Sequence, residues 1–127
     1  MRNTDNTEQV GGLAHRQTLI TDLRIKHNTV LNLHTGNLID PTDANAEWVY
    51  QIGLSALAAM EVDVLCLGPN ELFLPLETFA AFHADYPEIG VVCANVADSV
   101  ETRYVMRSVS STNVAVIGLI SENYAAV

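Results

Sequence analysis

Basic residues are scarce: six Lys and Arg stand against fifteen Asp and Glu in 127 residues, giving a formal charge of −9 at pH 7. A surface with that balance repels phosphate backbones and anionic lipid, which argues against a nucleic acid polymer as a direct partner. Cysteine is nearly absent. Cys66 and Cys93 each sit inside an apolar run without C-x-x-C spacing, so they are expected as buried free thiols and not as a disulfide framework. His15, His27, His34 and His83 are scattered, so no zinc-site spacing is present. No apolar run is long enough to cross a bilayer, and the polar first residues lack the basic start and apolar stretch of a signal peptide. No membrane association is expected.

What the chain does have is core: 49% of its residues are hydrophobic, enough to bury one compact domain. Residues 1–10 are polar and read as a flexible lead-in, with one α/β domain over residues 11–127. A helix is expected over 13–26, from the apolar positions Leu13, Leu19, Ile20 and Leu23. Residues 29–34 are rich in strand formers and run into Thr35-Gly36-Asn37. Asp40-Pro41-Thr42-Asp43 is turn chemistry, with Thr42 or Asp43 placed to cap a helix over 44–60. The stripe Trp48, Ile52, Ala56 and Ala59 predicts the buried face of that helix, with Trp48 in the core.

Residues 62–67 are almost continuously apolar, as a strand covered on both faces requires. Leu74-Pro75-Leu76 opens another helix that Tyr86-Pro87 stops, and residues 90–96 read as a third buried strand. His83, near the end of that helix, reads as a polar boundary residue. The pattern then changes. Partial alternation over 103–109, the polar link Ser110-Ser111-Thr112-Asn113 and an apolar run over 114–120 predict an antiparallel hairpin. The fold class expected is therefore α/β, with parallel strands, covering helices and a C-terminal antiparallel hairpin.

In an open α/β sheet, ligands gather at the carboxyl ends of the strands. Here those ends carry Gly36-Asn37 with Asp40 nearby, Gly68-Pro69-Asn70-Glu71, and Asn95. Amide and carboxylate oxygens suit hard cations such as magnesium, calcium or manganese, so Asn37, Asn70 and Glu71 are candidate metal ligands. Gly36, Gly68 and Asn95 are candidate ligand-loop residues. The same residue types are also ordinary turn formers.

Taken in order, Gly11-Gly12-Leu13-Ala14-His15-Arg16, residues 30–38, Ala56-Leu57-Ala58-Ala59-Met60, residues 62–71, Val92-Cys93-Ala94-Asn95-Val96 and Val114-Ala115-Val116-Ile117-Gly118-Leu119 resemble the calcineurin-like metallophosphoesterases. Within that superfamily the resemblance is to the bacterial 5'-nucleotidase and UDP-sugar hydrolase group, and it covers most of the chain from Gly11 onward. It implies a partial metallophosphoesterase-like sheet and a divalent-metal cofactor, in which paired cations bind phosphate and activate water for in-line attack. It also implies a family that is often exported, and a longer parent protein whose other domains would be this chain's partners.

Carried over position by position, the resemblance exposes departures. The family's strand ending in Gly-Asp falls on Gly36-Asn37, so a neutral amide replaces the carboxylate that bridges the two metals. The family's Gly-Asn-His-Glu falls on Gly68-Pro69-Asn70-Glu71, which puts proline at the ligand and asparagine at the catalytic histidine. A one-residue shift would let Asn70 act as the ligand, but the histidine stays missing. No Asp-x-His appears in residues 1–10, and the later histidine loops would lie beyond Val127. The expectation is a truncated or degenerate part of a 5'-nucleotidase-like enzyme with no catalytic residue of its own and no tightly bound metal. The alternative is a non-catalytic ligand-binding or scaffold domain. An unrelated Rossmann-like binder is disfavoured because Gly11-Gly12 follows no strand.

Overall fold

The computed structural model describes residues 12–96 and 102–121. The lead-in expected over 1–10 lies outside them. The chain divides into two compact units, Met1–Val30 and Leu31–Val127.

In the first unit helix α1 spans Leu13–Lys26, as its sequence predicts. It starts at Gly12, whose φ of 88° few other residues adopt and whose carbonyl accepts the Arg16 N–H at 3.1 Å. Arg24 and Lys26 lie in the last turn, where cations complement the helix dipole.

The second unit holds a three-stranded parallel sheet in the order β1-β2-β3, formed by Leu33–His34, Val64–Cys66 and Gly90–Val92. Leu33 pairs with Val64, and Val64 with Gly90, so the carboxyl ends fall on one side as expected. Both crossovers are helical: α2 spans Ala46–Ala59 and α3 spans Leu76–Asp85. Strands β4 (Tyr104–Val109) and β5 (Thr112–Ile117) form the antiparallel hairpin, with Ser110 at φ 55° in its tight turn. The core is made by Leu54 and Leu57 of α2, Val64 and Leu65 of β2, Phe79 of α3 and Val92 of β3, each at most 2% exposed.

Several boundaries differ from the sequence pattern for identifiable reasons. The strand expected over 29–34 shrinks to its last two residues. Just ahead of it the buried Asn32 donates its N–H to Asp63 Oδ2 (2.8 Å) and its Nδ2 to the Met60 carbonyl (3.0 Å). The third strand stops at Val92, because the Cys93 N–H goes to the Thr102 carbonyl and the Ala94 N–H to the Gly118 carbonyl. Helix α2 starts at Ala46, two residues later than expected. Asp40 Oδ1 takes the Thr42 N–H (2.9 Å) and Asp43 Oδ1 the Asn45 N–H (2.8 Å), turns that compete with helix.

Helix α2 also presents a different face from the one predicted. Trp48 is 64% exposed, whereas Tyr50, Leu54 and Leu57 are buried. Tyr50 meets Phe79 of α3 edge-on, with ring centroids 5.5 Å apart, and that aromatic contact orients the helix. The helix closes with Val62 N–H on the Leu57 carbonyl and Glu61 N–H on the Ala58 carbonyl, Glu61 taking the left-handed position (φ 50°) usually given to glycine.

Candidate functional site

After β2 the chain bends at Gly68-Pro69 and enters a single 3-10 turn, Glu71–Phe73. That turn carries the Glu71 side chain fully out of solvent. A buried carboxylate is costly unless donors surround it, and here they do. Oε2 accepts the backbone N–H of Asn37 (2.8 Å) and of Gly68 (2.7 Å), and Oε1 accepts that of Leu38 (2.5 Å). Consecutive left-handed residues, Gly36 at φ 78° and Asn37 at φ 58°, shape the β1 loop that offers two of these donors. Such backbone concavities bind anions; in this chain the anion is Glu71 itself. A side chain on Gly36 would collide with the Gly68 backbone and come within 2.7 Å of the Cys66 carbonyl, so the two loops pack backbone to backbone.

The neighbouring polar groups are engaged in the same way. The Asn70 N–H points to Asn37 Oδ1 at 3.4 Å, and Asn70 Nδ2 donates to the Ile39 carbonyl at 2.9 Å. His34 Nδ1 accepts the Gly36 N–H at 3.0 Å. The structure therefore brings Gly36, Asn37, Gly68, Asn70 and Glu71 together. Asn95 has a different partner: its Nδ2 donates to the Ile120 carbonyl (2.7 Å) and its Oδ1 accepts the Ile120 N–H (3.0 Å), tying β3 to the segment after the hairpin.

Beside this junction lies a groove of ≈ 410 Å³ between the ends of β1 and β2 and the segment from Val116 to Ser121. Its lining includes His34, Cys66, Gly68 and Pro69 and no carboxylate. Burial pushes the Cys66 thiol pKa up; a Leu119 backbone hydrogen bond opposes the rise and the Glu71 charge adds to it, so the group stays a neutral thiol at pH 7.

Divalent cations need convergent, available oxygens. Both Glu71 oxygens already accept N–H groups, Asn37 Oδ1 faces the Asn70 N–H, and Asn70 holds its loop through Nδ2. Among the described residues no three His, Cys, Asp or Glu side chains gather where they could hold a metal ion. The described donor set does not fit a pair of divalent cations. Its chemistry is that of a tie between loops.

A parallel sheet with helical crossovers, loops joined at its carboxyl edge and an added hairpin make a partial α/β fold. Solved structures share it. The 5'-nucleotidase precursor from Thermus thermophilus superposes with a TM-score of 0.77 and 22% sequence identity, covering 91% of this chain and 24% of that one. The NAD nucleotidase of Haemophilus influenzae superposes with a TM-score of 0.72 and 24% identity, covering 92% of this chain and 22% of that one. Both are nucleotidases, so the resemblance read from the sequence holds at the level of the fold. The chain spans under a quarter of the length of either. No protein-family profile and no curated sequence matches it.

Two features escaped the sequence pattern. Glu71 reads equally as a ligand or as an internal anion, because only its burial separates the two. The exposed pair Trp48 and Phe73, at 64% and 63%, was hidden by the assignment of Trp48 to the core.

Proposed function

We propose that this chain supplies framework, not hydrolytic chemistry, to a 5'-nucleotidase-like fold. It is a degenerate part of such an enzyme that does not cleave phosphate esters by itself and binds no divalent cation tightly. The observation that supports this reading is Glu71. Its carboxylate occupies, from inside, the backbone donors of both loops that would otherwise be free for a ligand. The natural partners on this reading are further segments of a longer parent protein.

The experiment combines calorimetric titration of the chain with manganese and with zinc and an assay on a generic phosphate monoester. Weak or unsaturable heats and no turnover above the metal-only blank are expected. Tight binding of two equivalents with turnover that Asn37→Ala abolishes would overturn the proposal. The groove beside Gly68 and Pro69 favours a second reading, a ligand-binding module without catalysis. That reading requires saturable binding in a separate calorimetric titration with a nucleotide, without turnover.

A further inference from the structure

On a different part of the second unit, a groove of ≈ 380 Å³ runs between the start of α2 and the bend that leads into α3. Trp48 and Phe73 both line it and both are more than half exposed, an unusual disposition for large aromatic side chains. Ile39, Pro41, Leu74 and Pro75 add apolar surface beside the two rings. Asp43 and Glu47 are its only charged lining residues, and no Lys or Arg lines it. Asp43 uses Oδ1 within its own turn, on Asn45, which leaves Oδ2 for an incoming donor.

We propose that this groove docks an arginine-bearing, extended segment of another polypeptide, with a guanidinium on the Trp48 face and its charge met by Asp43 and Glu47. Charge complementarity selects the occupant. The chain carries −9 overall, so a basic partner is drawn in from a distance and an acidic one is repelled. At the groove itself, a cation on an indole face with two carboxylates at hand is favourable, and arginine stacks better than lysine. The positive end of the α2 dipole opposes a cation, and Glu47 in the first turn offsets it. A small free cation gains little at so open a site. A chain segment adds apolar contact with Phe73, Pro41 and Pro75, as extended proline-rich peptides do in aromatic grooves. This inference does not depend on whether the strand-end loops are catalytic.

The sequence contains a single tryptophan, so emission excited selectively at the indole, away from the four tyrosines, reports this groove alone. The probe is a short acetylated and amidated peptide of alternating arginine and proline, titrated into the whole chain at low salt. A saturable change in Trp48 emission is expected. By calorimetry, the Asp43→Asn/Glu47→Gln double variant should bind about tenfold more weakly and Trp48→Ala about fivefold more weakly. All three side chains are exposed, so these variants should keep the parent circular dichroism. Asp85→Asn/Glu88→Gln, which removes two carboxylates outside the groove, should bind like the parent. An unchanged emission, equal binding of the peptide with glutamine in place of arginine, or undiminished affinity in the Asp43/Glu47 variant would overturn the proposal. So would an equal loss in the Asp85/Glu88 variant, which would mean diffuse charge attraction. Free arginine amide binding as tightly as the peptide would overturn the polypeptide occupant.

Discussion

Glu71 has both oxygens hydrogen-bonded to backbone of two loops and none of its surface in water. Changing it to Gln keeps the volume but turns an NH2 group toward backbone N–H donors and removes the charge that strengthens the remaining bonds. Glu71→Gln should cost about 3 kcal/mol of unfolding free energy, and Glu71→Ala as much or more, because each leaves buried donors unmet. Urea denaturation measures both losses; a change below about 1 kcal/mol, no more than one ordinary hydrogen bond, would contradict the clamp. At this scale the sequence was informative about place and silent about direction. Asn37, Asn70 and Glu71 were legible as neighbours because each follows an apolar strand. Whether a carboxylate faces a cation or the chain's own N–H groups depends on one turn of 3-10 helix that the letters do not fix.

At the scale of elements, the order and type of α1, α2, α3 and the hairpin were legible in period and punctuation, and the rotation of α2 was not. Trp48, Ile52, Ala56 and Ala59 form one apolar arc, and Tyr50, Leu54 and Leu57 form another. The second is buried because Phe79, on a different helix, gives Tyr50 an edge-on partner. No local pattern contains that contact. The hairpin was likewise legible as a hairpin, but not its anchorage. Arg107 on β4 donates through Nη2 to the Asp63 carbonyl (2.8 Å) and the Glu88 carbonyl (3.3 Å), the residues leading into β2 and toward β3. Arg107→Ala should therefore loosen the docking of β4 and β5 without dissolving their mutual ladder. Hydrogen exchange is the measurement: faster exchange is expected at Gly90 and Cys93, whose N–H groups lie where the hairpin abuts β3, and near-parent protection within the ladder. Equal acceleration throughout the hairpin would show that Arg107 holds the ladder itself.

At the scale of the whole molecule, the shared fold with two nucleotidases constrains architecture while the −9 charge and the buried groups set its response to solvent. His83 is the clearest such group. Its ring lies parallel to Phe79 at 6.5 Å, Nε2 is buried with no hydrogen-bond partner among the described residues, and it lines a groove with Ala80, Ile89, Thr102 and the cationic Arg107. Burial lowers its pKa from the ordinary 6.5. The unfolded chain therefore takes up a proton as pH falls through 6.5 while the folded chain does not, and stability rises with pH wherever the unfolded state holds more protons. The contribution from neutral His83 is complete above that value and declines as pH falls from 6.5 toward the depressed folded value. His83→Leu cannot titrate, so the urea midpoint of this variant should fall less steeply than the parent's on acidification from pH 6.5, and the two should run parallel above it. Identical slopes on the acid side would show that His83 does not set the parent's acid sensitivity.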